Sequence, residues 1–349
     1  MRIANALKEM NLSKRPDDRW SRREFLSTAA LAGAGSLLRL PSDALAAEAP
    51  PETTKIKLAY HSRSLCHAPL YVAEDLLRGE GFTDVQYVKT NAVEKALASG
   101  EVDVVTHFCG PLAIQVDNGD PILILSGLHP GCVELVAAER MRSILDLKGK
   151  TIAVTDLGGG RHTFLAVVAA HVGLDPRKDF KVVVYRAAEA IRLLAEKKID
   201  AFIASPPDAQ ELRAKRIGHV IVNSTVDRPW SQYFCCMVAG NREFVRKYPA
   251  ATKRALRAIL KAVNICAVEP DQAARSLVDK KYTANYGSAL QVLNELPYGK
   301  WREYDPEDTV RFYALRMNEV GMIKSSPQKI IAQGTDWRFL RELKKELKA

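Results

Sequence analysis

One stretch of this sequence carries side chains and backbone groups that could bind a polar or anionic ligand. Residues 62–69 read SRSLCHAP and supply an arginine, a cysteine, a histidine and two hydroxyl groups. Pro69 suits the first turn of a helix, where its missing N–H is no loss. The free N–H groups and positive dipole at a helix start favour an anion by about 0.3–1 kcal/mol per exposed charge. The pattern predicts a binding loop, and the alternative is an ordinary turn of an α/β protein.

The residues on either side of this loop predict the elements that hold it. Residues 55–60 alternate polar and apolar side chains with the two-residue period of a strand. Apolar residues recur at helical spacing over 70–77. Strands and helices then alternate over 85–223, which predicts βαβ units with a parallel sheet. After a strand at 233–240 the chain is predicted to be mostly helical, beginning with a long helix at 243–268.

A second candidate loop is rich in glycine. Residues 158–160 are three glycines, and Arg161, His162 and Thr163 follow them. They give a flexible turn at the start of a predicted helix, which suits a ligand, and the alternative is a plain strand-to-helix connection. The spacing lacks the G-x-G-x-x-G order of a dinucleotide site. Arg161, together with Arg63 in the first loop, could hold an anionic group with two parallel hydrogen bonds.

Residues 1–46 predict an export signal rather than a part of the fold. They contain SRREFL at 21–26, a weakly apolar run at 26–38 and the small-residue site ALA at 44–46. These are the three regions of a secretory signal peptide, and the apolar run is too short to span a membrane. The paired arginines resemble the twin-arginine export signal. No cysteine follows the small residues, so we expect cleavage near Ala46 and release into the periplasm without a lipid anchor.

Charge and length narrow the classes of function. Residues 1–46 hold eight Lys or Arg and five Asp or Glu, so their removal leaves +7 of the total charge of +10. This basic excess suits a small anionic ligand, but no basic stripe with interleaved aromatic residues is present, which argues against nucleic acid as a partner. No later apolar run reaches the length of about 18 residues that a membrane span needs. The chain that remains has about 300 residues, which is more than a single hydrophobic core usually accommodates, so we expect two lobes.

Five segments, taken in order, carry a resemblance to a known family. They are KIKLAY at 55–60, ALASGEVD at 96–103, LKGKTIAV at 147–154, FVRKYP at 244–249 and TDWRFL at 335–340. Together they resemble the periplasmic solute-binding proteins of ABC importers in the nitrate, sulfonate, taurine and thiamine-pyrimidine group. The resemblance covers nearly all of the chain after the signal.

The resemblance implies an α/β fold of two lobes, the type II periplasmic-binding-protein fold. Each lobe would be a mainly parallel sheet flanked by helices, with the ligand cleft between the lobes. Lobe one would comprise residues 55–137 and 233–349, and lobe two would comprise residues 138–232. The two chain crossings, near 136–137 and near 232–233, would then form the hinge.

The same resemblance implies a receptor without catalytic residues or a cofactor. It would capture a small anionic or planar polar molecule by lobe closure and deliver it to an ABC permease and ATPase complex in the inner membrane. We expect a monomer that also meets the twin-arginine translocase during export. Carried over loop by loop, the ligand contacts are His61, Arg63, Cys66, His67, Phe108, Cys109, His129, Gly159, Gly160, Arg161, His162, Ser205, Trp230 and Tyr233.

Histidine and cysteine are unusually frequent in these loops, and three interpretations stay open. Neutral imidazoles could line an organic ligand. The oxidising periplasm could instead pair two of the thiols of Cys66, Cys109 and Cys132. Cys235 and Cys236 are not expected to pair, because neighbours on a strand point to opposite faces. Third, five residues of types that bind zinc or copper could hold a soft metal or a metal chelate, although they lack the spacing of a known metal motif. They are Cys66, His67, Cys109, His129 and Cys132.

An enzyme on the same fold is the alternative function, beside a receptor for a metal or metal chelate. The resembling group includes pyrimidine synthases, and decarboxylation occurs on this fold, so a cleft with histidine and cysteine could hold an acid–base pair. The cysteine cluster that those synthases use for iron is absent, since residues 234–237 read only FCCM. The export signal also favours a receptor. Phe108, Trp230, Tyr233 and Phe234 could stack on a planar ligand or belong to the core.

Overall fold

Two five-stranded sheets form the framework of the chain in the computed structural model, which describes residues 48–61 and 64–348. The described strands are, in chain order, β1 (Lys55–Tyr60), β2 (Asp84–Lys89), β3 (Val104–Phe108), β4 (Ile122–Pro130), β5 (Glu134–Ala137), β6 (Thr151–Val154), β7 (Lys181–Val184), β8 (Ala201–Ala204), β9 (His219–Asn223) and β10 (Phe234–Asn241). The predicted export signal lies outside the described residues.

Helices flank both sheets. The described α-helices are, in chain order, α1 (Ala68–Val72), α2 (Glu74–Gly79), α3 (Val93–Ser99), α4 (Cys109–Asn118), α5 (Gly160–His171), α6 (Ala187–Ala195), α7 (Asp208–Ala214), α8 (Arg242–Lys247), α9 (Pro249–Val268), α10 (Pro270–Asp279), α11 (Tyr286–Glu295), α12 (Pro306–Glu319), α13 (Pro327–Gly334) and α14 (Arg338–Glu346). Short 3₁₀ turns lie at Leu65–His67, Ile144–Leu147, Trp230–Gln232 and Tyr298–Arg302. Among these described helices, none combines the length and the apolar character that a membrane crossing requires.

The first sheet, which with its helices is called lobe one, has the strand order β2-β1-β3-β10-β4. β1 runs parallel to β2 and to β3, as the alternation of strands and helices along the chain predicts. β10 lies antiparallel between β3 and β4, so the sheet is mixed rather than parallel. Every residue of β4 and β10 is buried. Strands that are covered on both faces consist almost entirely of apolar residues, so the sequences of β4 and β10 do not alternate between polar and apolar side chains.

The second sheet, which with its helices is called lobe two, has the order β7-β6-β8-β5-β9 and corrects the expected position of the first crossing. Residues 134–137 were expected in lobe one, but β5 pairs antiparallel with β8 and β9 of lobe two. The apolar run ELVA fits either sheet by pattern alone. Gly131, with a φ of +57°, turns the chain out of the first sheet. The crossing therefore lies at 131–133 rather than near 136–137.

The helix predicted over 243–268 is two helices in the structure. α8 ends at Lys247, Tyr248 has a φ of −129° and a ψ of 62°, and α9 begins at Pro249. Proline disfavours helical geometry in the residue before it but fits the first turn of a helix. The chain therefore restarts at Pro249, and α9 then packs against α1, α2 and α14.

The lobes touch through the first turns of α4 in lobe one and α5 in lobe two. A Cβ atom at Gly110 would lie 2.4 Å from Oγ1 of Thr163, and one at Gly160 would lie 3.1 Å from Cβ of Phe108. The Phe108 ring meets the Phe164 ring edge-on, with centroids 6.3 Å apart. One hydrophobic cluster includes buried residues of both sheets, and a smaller cluster lies within lobe two. The structure is therefore a closed arrangement of the lobes.

Candidate functional site

A cavity of about 310 Å³ lies where the lobes meet. Its described lining residues are His61, Ser64, Leu65, Tyr71, Pro207, Lys281, Tyr282, Thr283 and Ala284. Pro207 precedes α7 in lobe two, and the other residues belong to lobe one. A molecule in this cavity would therefore contact both lobes at once. Arg63, a predicted ligand contact, lies outside the described residues.

His61 follows β1 and presents a neutral imidazole to this cavity. Its backbone N–H donates to the hydroxyl of Tyr71 at 3.1 Å, and that hydroxyl donates to the His61 carbonyl at 3.2 Å. Burial, together with the nearby His67 and His107, lowers the pKa of His61 to about 4. Nδ1 of His61 is buried and has no hydrogen-bond partner among the described residues. A ligand in the cavity could supply that partner.

Two tyrosines of the lining, Tyr71 and Tyr282, belong to a cluster of four tyrosine rings. The ring of Tyr71 stacks on that of Tyr282, with centroids 4.6 Å apart and planes inclined by 13°. Tyr60 and Tyr87 meet Tyr282 edge-on at 5.2 and 5.5 Å. Burial raises the pKa of Tyr71 and of Tyr282, so these phenols are neutral at physiological pH. Such rings offer flat apolar area with a hydroxyl at one end.

A second cavity, of about 250 Å³, is lined by Pro206, the residue before Pro207 of the larger cavity. It is bordered by a polar bridge between the lobes. Arg213 of α7 pairs with Glu134 of β5 in lobe two and with Glu295 of α11 in lobe one. Burial raises the pKa of Glu134, and the charge of Arg213 opposes that rise. The sequence does not mark these three residues as a site, because no regular spacing relates them.

Arg161, a predicted anion partner, is already paired with a carboxylate of its own lobe. Its Nη2 lies 2.5 Å from Oδ2 of Asp208, and both side chains are largely buried, with exposed fractions of 13% and 6%. Nη2 and Nε also donate to the hydroxyl of Ser205 at 2.7 and 3.2 Å. The guanidinium carbon lies 5.3 Å from the centre of the Phe202 ring. Two predicted ligand contacts, Arg161 and Ser205, thus bond to each other, and the partner of the arginine's charge is a protein carboxylate.

The glycines before Arg161 have a local packing role. α5 begins at Gly160, three residues earlier than predicted, and Gly159 is its N-cap. A Cβ atom at Gly159 would lie 1.6 Å from Oδ2 of Asp156, so a larger residue there would have to displace the exposed side chain of Asp156. Gly158 has a φ of +81°, and its N–H donates to Nδ1 of His162 at 3.0 Å. Burial lowers the pKa of His162, which keeps this imidazole a neutral acceptor.

Several other predicted contacts are packed in the interior. Phe108 meets Tyr313 edge-on at 5.1 Å, and Cys109 is fully buried. Trp230 is buried against His171 at 5.3 Å. Tyr233 stacks on Phe312 at 4.1 Å, while His67 is buried with its ring 6.3 Å from that of His61. The described cavity does not include these side chains.

Three of the five candidate metal ligands do come together, with a fourth donor that the sequence analysis placed elsewhere. Cys66, His129, Cys132 and Cys236 each offer a donor atom, and these four atoms lie within 4.8 Å of one another. We call this set the thiol–imidazole cluster. Hydrogen bonds from Cys132 and Cys236 hold the pKa of Cys66 well below its usual range. All six cysteines of the chain are free thiols.

Cys235 and Cys236 are both free thiols, but they do not alternate between the two faces of the sheet because β10 is irregular there. Its register against β4 shifts between Phe234 and Cys236 and again between Cys236 and Met237. Such shifts break the two-residue alternation of a strand. Sγ of Cys235 lies 2.8 Å from Sγ of Cys132, and Cys236 also reaches Cys132 within the cluster.

The cavity residues that sequence reasoning missed lie mainly at 281–284, in the turn between α10 and α11. Lys281 has a φ of +62°, a left-handed conformation that is usually adopted by glycine. Because the residue is a lysine, the sequence does not indicate this turn. The segment is distant in sequence from β1, and nothing in its pattern links Tyr282 to Tyr71. Only the packing of the helical C-terminal part on lobe one brings them together.

Two mixed sheets flanked by helices, meeting over a cavity, define the class of two-lobe periplasmic-binding-protein folds and confirm the predicted fold class. Residues 49–279, more than half of the chain, match the model of the NMT1-like family. The chain belongs to the NMT1-like family. Among proteins with curated descriptions, none matches its sequence significantly.

Three solved structures share the fold at low sequence identity. The periplasmic nitrate-binding protein NrtA from Synechocystis PCC 6803 is 17% identical with a TM-score of 0.71, over 86% of this chain and 90% of its own. The periplasmic aliphatic sulphonate-binding protein SsuA from Escherichia coli is 15% identical with a TM-score of 0.63, over 82% and 94%. DSZB, solved as a mutant in complex with biphenyl-2-sulfinic acid, is 14% identical with a TM-score of 0.58, over 83% and 99%.

Proposed function

We propose that this protein is the substrate-binding component of an ABC transporter, which captures a small molecule between its lobes and delivers it to a membrane permease. The observation that carries the proposal is the cavity of about 310 Å³ at the lobe junction, into which both lobes contribute residues. A ligand that touches both lobes binds the closed state better than the open state and shifts the population toward closure. Closure would be the signal that the permease reads.

The lining of this cavity supports a ligand with a flat body and a polar or anionic group. Tyr71 and Tyr282 supply apolar ring area, and the unpartnered Nδ1 of His61 supplies one hydrogen bond. Lys281 supplies a positive charge at the rim. His61 and Ser64 line the cavity, and Arg63 lies between them in the sequence. Arg63 is therefore our candidate for a second cation at the site. NrtA and SsuA are named for nitrate and sulphonate, which are anions.

The transport setting follows from the same proposal. The signal-like segment at 1–46 supports export by the twin-arginine route, cleavage near Ala46 and action in the periplasm as a monomer. The partners would be the permease and ATPase of an inner-membrane importer. Capture is non-covalent in this proposal, and neither catalysis nor a cofactor is needed for it.

Isothermal calorimetry with nitrate, an alkanesulfonate, taurine and a phosphorylated pyrimidine tests the proposal. We expect one of these classes to bind at roughly micromolar affinity or better, about −8 kcal/mol. Tyr282→Ala should weaken that binding at least tenfold, because the ring forms one wall of the cavity. Tyr286→Ala is the matched control, since Tyr286 lies on α11 and bonds Asp271 away from the cavity. Equal binding by wild type and Tyr282→Ala would remove this cavity as the site, and consumption of the ligand would indicate an enzyme.

A further inference from the structure

Four potential metal donors converge in the interior beside the first crossing between the lobes. They are the donor atoms of the thiol–imidazole cluster, Cys66, His129, Cys132 and Cys236, which lie within 4.8 Å of one another. No member of the cluster is more than 5% exposed. In a tetrahedral zinc site with metal–sulfur distances of about 2.3 Å, neighbouring sulfurs lie within about 4 Å. The four donors are thus close to the spacing that one ion would impose.

His129 is oriented as metal-binding histidines are. Its Nδ1 lies 2.9 Å from the carbonyl oxygen of Gly131 and 3.3 Å from that of Pro130, so Nδ1 carries the proton and donates it. Nε2 therefore keeps its lone pair. It is buried and has no hydrogen-bond partner among the described residues. A backbone carbonyl that fixes the tautomer is a usual partner of a metal-ligating histidine, and a cation would satisfy the buried Nε2.

The elements that supply the donors are far apart in sequence. Cys66 lies in the 3₁₀ turn after β1, His129 near the end of β4, Cys132 in the crossing and Cys236 near the start of β10. The turn that carries Cys66 also carries Leu65, which lines the larger cavity. Ser64 lines it too, and its hydroxyl lies 3.2 Å from Sγ of Cys66. An ion held here would fix the ligand-binding loop to the strands that lead into the hinge.

A disulfide is the competing fate of these thiols. The sulfur atoms of Cys132 and Cys235 are 2.8 Å apart, and an oxidising compartment would favour their bonding. Such a bond would remove Cys132 from the donor set and leave Nε2 of His129 unsatisfied. The free-thiol arrangement instead keeps three sulfurs and one imidazole nitrogen within 4.8 Å of one another.

We propose that Cys66, Cys132, Cys236 and His129 bind one soft metal ion, zinc(II) or copper(I), in a closed four-coordinate site. Thiolate and imidazole ligands favour these ions over hard cations such as magnesium or calcium. With four protein ligands and no position for water, the ion is structural rather than cargo. The cavity beside Cys132 gives the ion a path to the site. This site is separate from the captured ligand and does not depend on the proposed transport function.

Metal content and thiol count, measured on the full chain purified without chelators, test the proposal together. We expect about one equivalent of zinc or copper per chain by elemental mass spectrometry. After unfolding with a chelator, all six cysteines should be alkylated. Cys236→Ser and His129→Ala should each lower the metal content at least tenfold. Cys266→Ser is the matched control, because Cys266 is equally buried and lies outside the cluster, and it should keep its metal.

Three results would overturn the proposal. One is a metal-free protein with six free thiols, and another is a metal-free protein with four thiols and a mass lower by two hydrogens. The third is a bound metal that Cys236→Ser and His129→Ala retain. If these variants do not fold, titration of cobalt(II) into metal-stripped wild-type protein tests whether the metal site exists. Thiolate-to-cobalt charge-transfer absorption that zinc abolishes supports the site, and a titration without that absorption rejects it.

Discussion

Oε2 of Glu295 in lobe one lies 2.5 Å from Nη2 of Arg213 in lobe two, so an ion pair spans the lobes. Gln210 of α7 donates a further hydrogen bond to the same oxygen at 2.8 Å. Arg213 also pairs with Glu134 inside lobe two. Because the contact with Glu295 exists only while the lobes are together, it stabilises the closed state.

Glu295→Gln should therefore weaken ligand capture. Both partners are about one-third exposed, and pairs of this kind contribute about 0.2–1 kcal/mol, so we expect Kd to rise by a factor of about 1.4 to 5. Calorimetry with the captured molecule measures it. Glu303→Gln is the control, because Glu303 pairs with Lys300 in the same 3₁₀ turn. The same rise in Kd in both variants would reject an interlobe role for Glu295.

Gly110→Ala should prevent full closure. The added Cβ would lie 2.4 Å from Oγ1 of Thr163 across the lobe junction, whereas a Cβ at Gly79, in α2, meets no heavy atom within 4 Å. We expect Gly110→Ala to bind ligand at least tenfold more weakly, while Gly79→Ala binds like wild type. Small-angle scattering should show a larger radius of gyration for Gly110→Ala. If it compacts with ligand as wild type does, the contact between the two helix starts does not govern closure.

His61 should make the protein less stable in mild acid. Its pKa is about 4 in the folded chain, because burial disfavours the charged form, against about 6.5 when unfolded. The unfolded state therefore binds more protons between these values, so the free energy of unfolding falls as the pH drops from about 6.5 to about 4, by up to about 3 kcal/mol. His61→Asn should lose this part of the pH dependence in urea unfolding. An unchanged slope would mean that His61 titrates normally.

Removing one partner of the Arg161–Asp208 pair should destabilise the fold. Asp208 is 6% exposed, so Arg161→Ala leaves a buried carboxylate without its cation, which costs about 3–5 kcal/mol. The double variant with Asp208→Ala should lose less free energy of unfolding than the two single variants lose together. Urea unfolding of the four proteins gives this coupling. Additive losses would show that the pair is energetically independent.

The order of strands and helices was predictable because local pattern governs it. The strand predicted at 55–60 is β1, and the strand predicted at 233–240 is β10 at Phe234–Asn241, one residue later. The sheet that each strand joins was not predictable in the same way. The run ELVA at Glu134–Ala137 has an apolar residue on each face and carries no information about its partners, which are β8 and β9.

The site shows a similar limit. His61 lies in the loop that the strand–turn–helix pattern of 55–77 marks, and it lines the cavity. Tyr282 comes from a turn more than 200 residues later, and only tertiary packing brings it to Tyr71. Both Cys235 and Cys236 approach Cys132, which regular strand alternation would not allow and which the bulged register of β10 makes possible. Long-range packing and local irregularity are the two properties that a single sequence does not display.

The most direct test of capture between the lobes is a pair of native and denaturing mass spectra of the protein after incubation in a periplasmic extract. We predict that the native mass exceeds the denatured mass by that of a small organic molecule or anion, beyond any metal ion. His61→Ala and Tyr282→Ala should both lose this excess, and Tyr286→Ala should keep it. No excess in wild type beyond a metal ion, or its retention when His61 and Tyr282 are replaced, would contradict the proposal that this cavity captures the ligand.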